Sequence, residues 1–267
     1  ALHYFSIHIN PALRFGVYEK VMFHRGNGFD INYLVPIIFY RSIEHALGSP
    51  DNALLGADFR WDLARRWSVY GQLTLDEFTF SELFGDTRGW WGNKYGVQLG
   101  VKYFDAFNIP HLTAQAEVNW VRPFTYTHRD SLRAATHYNM PLAHPLGANF
   151  QEYLVHFNYQ PAGRWSGSFL FMLSQQGRSV DENVGWNITE SYDTRSRDDG
   201  FDWLEGQRRT VTSMRLKVNY ELYPGVLLRS ILQYRDQQDV SRNDRIYNDF
   251  MWTVGVSVNF DPPGMDF

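Results

Sequence analysis

LTAQAEVNW, residues 112–120, places Leu112, Ala114, Ala116, Val118 and Trp120 at even positions, with Thr113, Gln115, Glu117 and Asn119 between them. Successive side chains of an extended chain point to opposite faces, so strict alternation predicts a strand with one apolar and one polar face. The same pattern runs through Leu55–Leu63, where Gly56, Asp58, Arg60 and Asp62 are the intervening residues. It recurs in Met214–Leu222, against Arg215, Lys217, Asn219 and Glu221, and in Phe250–Phe260. Eleven segments follow it, roughly 3–10, 12–23, 54–64, 67–78, 94–104, 112–122, 151–160, 165–176, 210–223, 226–238 and 246–260. Most exceed the ordinary strand of about 5–6 residues and reach the about 9–11 that a tilted strand needs to cross a bilayer.

Composition narrows the alternatives. The chain has 267 residues, a net charge of −4 and a pI near 6.1, so it lacks the basic footprint of a nucleic-acid binder. Mean hydropathy is −0.40 and no run of 18 apolar residues occurs, which excludes a helical membrane span. These values suit either a water-soluble β-rich protein or a membrane barrel, and periodicity decides for the barrel.

The connections alternate in length. Pro11-Ala12, Ala64–Arg66, Asp105–His111, Pro161–Arg164 and Pro224-Gly225 are short, whereas 24–53, 79–93, 123–150 and 177–209 are long. Short periplasmic turns and long outer loops are the outer-membrane pattern. Asp58, Arg60, Asp62, Lys102, Glu117, Arg215, Lys217, Glu221, Arg229 and Arg235 share the polar faces. An Arg or Lys costs about 2–4 kcal/mol at the bilayer midplane, so these faces are expected to line a polar lumen. Trp61, Trp67, Tyr103 and Trp165 beside the short turns, with Tyr95 and Trp120 beside the long loops, read as two interfacial girdles. Residues 1–267 are thus expected to form a single all-β domain, a transmembrane antiparallel barrel. If the short turns are periplasmic, the odd number of strands starts outside, and bacterial barrels have even numbers. The topology therefore predicts the C-terminal part of a larger barrel; the alternative is one misassigned segment and a barrel of ten or twelve strands.

The loops hold the candidate binding groups. Ile37, Ile38, Phe39 and Tyr40 make the first long loop too apolar for a free surface loop, and predict a plug of the barrel mouth or a partner contact. Trp90 and Trp91 stand between Gly89 and Gly92, and could stack on sugar rings or serve the outer girdle. Arg122, Tyr126, His128, His137, Tyr138, Asn139 and Asn149 supply rings and hydrogen-bonding groups in the third loop. The spacing of His128, His137 and His144 matches no compact ligand motif, so neither metal nor cofactor is expected. His156 with Ser168 or Ser174 lies on polar faces, but no nucleophile motif surrounds them, and no enzyme is expected.

Five stretches carry a resemblance: YRSIEHALGSPDNALLG (40–56), YGQLTLDEF (70–78), GWWGNKYGVQLGVKYFDAF (89–107), WVRPFTYTHRDS (120–131) and HYNMPLAHPLGANF (137–150). They resemble the C-terminal half of Wzi-like capsule assembly proteins of the Bacteroidetes lineage, some of which are labelled gliding-motility proteins. The resemblance implies an outer-membrane barrel of about eighteen strands, about seven of them absent here, in agreement with the odd count. It implies a non-catalytic surface protein that binds, anchors or helps assemble capsular or exopolysaccharide. Its expected partners are outer-membrane lipid and lipopolysaccharide, that polysaccharide and other outer-membrane proteins, with no nucleic acid. The competing readings are a subunit of a secretion or gliding-motility complex, and a diffusion porin. Aromatic residues of the set Trp90, Trp91, Arg122, Tyr126, His128, His137, Tyr138, Asn139 and Asn149 would stack on sugars, and the polar ones would bond hydroxyls.

Overall fold

The computed structural model describes residues 1–24, 33, 51–77, 89–161, 163–239 and 244–258. Its strands are β1 (Leu2–Asn10), β2 (Leu13–Met22), β3 (Asn52–Leu63), β4 (Trp67–Glu77), β5 (Lys94–Phe104), β6 (Leu112–Val121), β7 (Thr136–His137), β8 (Met140–Pro141), β9 (Phe150–Tyr159), β10 (Trp165–Arg178), β11 (Gln207–Tyr223), β12 (Val226–Asp239) and β13 (Asp244–Val258). Eleven of them form one antiparallel sheet in chain order, and β7 pairs only with β8, a small hairpin that alternation does not signal. Among the described residues β1 and β13 are the two end strands. Each of the eleven predicted segments corresponds to one strand of this sheet over its described residues. The ladder of β10 and β11 runs on to the Arg178–Gln207 pair, beyond the stretch that alternates. Backbone pairing is indifferent to side-chain polarity, so it outlasts the apolar signal.

Register turns the pattern of single strands into two surfaces. Leu13, Trp61, Val69, Val101, Ala116, Val155, Phe171, Met214, Tyr234 and Phe250 stand side by side across ten strands. The adjacent row, one residue along, is Arg14, Arg60, Tyr70, Gly100, Glu117, Leu154, Met172, Ser213, Arg235 and Asp249. A slip of one residue in any pair would exchange the two rows, so keeping the faces distinct excludes odd register shifts. The first row belongs to an apolar face on which Trp61, Leu73, Leu99, Leu216, Trp252 and Val254 are exposed.

Aromatic pairs mark both ends of that face. Trp67 stacks on Tyr103 with centroids 4.0 Å apart, and Trp165 meets Tyr220 at 4.6 Å, both beside short turns. Trp120 meets Tyr153 at 6.4 Å toward the long loops. The buried apolar core lies where those loops meet the strand ends: Phe124, Ala135, Ala148, Val184, Ile188, Phe201 and Leu204 come from the loops, and Leu54, Val121 and Phe150 from the ends of β3, β6 and β9. The long loops therefore form a packed layer.

Candidate functional site

The polar face of β1–β6 is built around three tyrosines, each lying across a glycine. Tyr4 covers Gly16, Tyr18 covers Gly56 and Tyr70 covers Gly100, so that a Cβ at any of these glycines would collide with the ring. Each ring reaches over its glycine to a polar side chain two strands away. Tyr4 donates to Asp58 at 3.3 Å, Tyr18 shares a hydrogen bond with Thr74 at 2.5 Å, and Tyr70 donates to Glu117 at 2.5 Å. Glycine permits this because it leaves room for a ring to lie down along the sheet.

Amides complete the network. Gln72 donates to the Tyr18 hydroxyl at 2.7 Å and Gln115 to that of Tyr70 at 2.7 Å. Glu117 also accepts from Gln98 at 3.0 Å and Asn119 at 2.9 Å. Asn119 reaches Glu152 at 3.1 Å, which lies 3.0 Å from His144 Nε2. The tyrosines, Gln72, Gln98 and Asn119 line a cavity of ≈ 880 Å³, bounded by Leu142, Ala143 and His144 from the third long loop.

The charges of this cavity are uneven. Arg14 pairs with Asp58 at 2.7 Å and Arg60 with Asp62 at 3.0 Å. Lys20 and Lys102 also line it, and neither has an ion pair among the described residues. Lys102 Nζ stands 5.5 Å from the Tyr70 ring centre.

The nine candidate loop residues separate into three environments. Trp90 and Trp91 are partly covered: Arg195 lies 4.0 Å over the Trp91 ring, and Tyr192 packs at 4.7 Å. Arg122, Tyr126, His128 and Asn149 are buried. Arg122 donates to the Phe201 carbonyl at 3.1 Å. Tyr126 is held by its backbone amide on Asp76 at 2.6 Å, and burial, with Tyr18 and Asp76 nearby, pushes its phenol pKa up. Asn149 donates from one amide nitrogen to the carbonyls of Gly177, Val184 and Glu205, at 3.1, 3.4 and 2.9 Å. His137, Tyr138 and Asn139 are exposed at the tip of the β7–β8 hairpin. Ile37, Ile38, Phe39 and Tyr40 lie outside the described residues.

His156 stands opposite Leu170 on β10, whereas Ser168 faces Asn158 and Ser174 faces Glu152, so neither serine is its cross-strand partner. Alternation marks the polar residues of this trough only as a lumen face. The sign that could have singled them out is glycine at the inward positions 16, 56 and 100, each beside a tyrosine on a neighbouring strand.

The eleven strands form one antiparallel sheet with an apolar face and a polar, aromatic face, and among the described residues its end strands β1 and β13 do not pair with each other. By sequence the chain matches no protein-family model and no curated protein. By structure it is similar to Wzi, described as an outer membrane protein involved in group 1 capsule assembly in Escherichia coli and as a carbohydrate binding beta-barrel. The TM-score is 0.59 at 12% identity, over 96% of this chain and 51% of that one. The chain thus has a Wzi-like fold and spans about half of Wzi's length. The likeness lends no support to the Bacteroidetes lineage or to the gliding-motility label.

Proposed function

We propose that this chain belongs to an outer-membrane β-barrel that binds capsular or exopolysaccharide at the cell surface without altering it chemically. The observation that carries the reading is the pair of adjacent rows across ten strands, one apolar or aromatic throughout and one that holds all the charged residues, Arg14, Arg60, Glu117, Arg235 and Asp249. A sheet with such an outer face minimises its cost in lipid, and its inner face offers rings, amides and charges to a hydroxyl-rich ligand. The Wzi-like fold supports the same reading, since Wzi is described as carbohydrate-binding. In this reading the outer face meets lipid and lipopolysaccharide, and the loop layer faces outward.

The loop candidates then divide the work. His137, Tyr138 and Asn139 at the exposed tip, with Trp90 and Trp91, contact polysaccharide. Arg122, Tyr126, His128 and Asn149 act from beneath, by holding the loops in position.

The test uses the full-length protein from its own cell. It should fractionate with the outer membrane, change mobility on heating in detergent gels, and retain the cell's own surface polysaccharide when immobilised. Recovery outside the membrane fraction, or passage of the polysaccharide unretained, would sink the reading.

A further inference from the structure

We propose that the inner-face trough is itself a saccharide site, and that it takes a linear acidic oligosaccharide or chain segment. This deepens the polysaccharide reading and rests on it.

The floor is already arranged for sugars. A sugar ring has a face of C–H groups that packs against an aromatic plane, and its hydroxyls pair with amides. Tyr4, Tyr18 and Tyr70 cannot stand upright freely, because each ring is tied down by a hydroxyl bond two strands away. Fixed rings lose little side-chain freedom when a ligand arrives. Gln72 and Gln98 line the same cavity and are held by the same network, and Gln115 holds the Tyr70 hydroxyl from β6. The volume of ≈ 880 Å³ falls within the about 300–1,000 Å³ usual for ligand sites.

Charge selects the class of sugar. Of the carboxylates around the trough, Asp58 is neutralised by Arg14 and Asp62 by Arg60, while Glu117 keeps its charge but is capped by hydrogen bonds from Tyr70, Gln98 and Asn119. The cations left over are Lys20 and Lys102. Lys20 stands opposite Leu54 on β3, and Lys102 shares the row of Asp62 through Ser68. Those rows are eight residues apart on β3, roughly 26 Å at about 3.3 Å per residue. One lysine accompanies the Tyr4–Tyr18 end and the other overhangs Tyr70. Two tyrosine-plus-ammonium subsites that far apart suit a chain that repeats its carboxylates, not a single acidic sugar.

The experiment measures binding of hexagalacturonate, a linear polyuronate, and of uncharged maltohexaose to the full-length protein in lipid nanodiscs. Hexagalacturonate should bind more tightly, and more weakly as salt rises. A K20Q/K102Q double variant, checked as folded by its gel mobility, should bind it about tenfold more weakly or worse. Leu132→Ala, exposed and outside the lining of the trough, should leave it unchanged. Maltohexaose binding as tightly would overturn the acidic class. An undiminished affinity in K20Q/K102Q would overturn the inner site while retention of native polysaccharide still stood. If neither oligosaccharide nor the native polysaccharide bound, both readings would fall together.

Discussion

The ring of Tyr18 lies across Gly56, its direct cross-strand partner, and its hydroxyl continues to Thr74 on the next strand. One residue thus ties three strands together on the polar face. Gly56→Ala should force the ring off Thr74, at an overpacking cost of about 1–3 kcal/mol. Gly255→Ala has open space around its new Cβ and should be neutral or slightly stabilising. Urea unfolding from lipid vesicles compares the two; equal midpoints would contradict the ring-over-glycine account.

Asn149 is the staple of the loop layer. Asn149→Ala leaves three carbonyls without their shared donor, and each unsatisfied buried group costs about 1–3 kcal/mol. Trypsin should then cut at Arg195 and Arg197 about fivefold faster or more, provided cleavage tracks the open population. Asn149→Asp should be worse, because it sets a carboxylate against carbonyl oxygens.

Two ion pairs of the same sheet should respond oppositely. Lys94 and Asp76 are fully buried 3.5 Å apart, with the Tyr192 ring 4.9 Å from the ammonium. Removing one member of a buried pair costs about 3–5 kcal/mol, so Lys94→Met should strongly destabilise the protein. Arg60 and Asp62 are largely exposed, and Arg60→Gln should shift the unfolding midpoint within error.

Tyr126 gives the loop layer a pH limit. Burial raises its phenol above the ordinary 10.0. A raised folded-state value means that the contribution is complete below pH about 10 and is lost as pH rises through the folded value. Protease resistance of the loops should therefore decline in strong alkali. The decline should be smaller in Tyr126→Phe, which has no proton to lose; identical pH profiles would refute it.

Phe171 and Met172 are neighbours in sequence, both apolar, and belong to opposite faces. In the proposed barrel, Phe171→Arg places a charge in lipid at about 2–4 kcal/mol, whereas Met172→Arg joins a row that already holds Arg14, Arg60 and Arg235. Folding yield into vesicles should fall for the first and hold for the second. The reverse result would invert the two faces.

The strands are legible in the sequence because alternation is local: Leu112–Trp120 declares both of its faces within nine residues. The binding groups are less legible. Trp90 and Trp91 read equally as sugar platform or girdle, and Trp91 lies beneath Arg195, about a hundred residues away. Nothing near Asn149 announces that its amide meets carbonyls at 177, 184 and 205.

Sequence alone therefore determined the eleven strands, their order and which side chains share a face, since each follows from a two-residue period and antiparallel neighbours. The tertiary structure decided what those faces build. Tyr18 meets Gly56 only through the register of β2 on β3, and Lys20 and Lys102 share a cavity only because the strands between them pair in series. Periodicity excludes odd register slips, but the choice among even ones, like the packing of the loops, depends on contacts between distant segments.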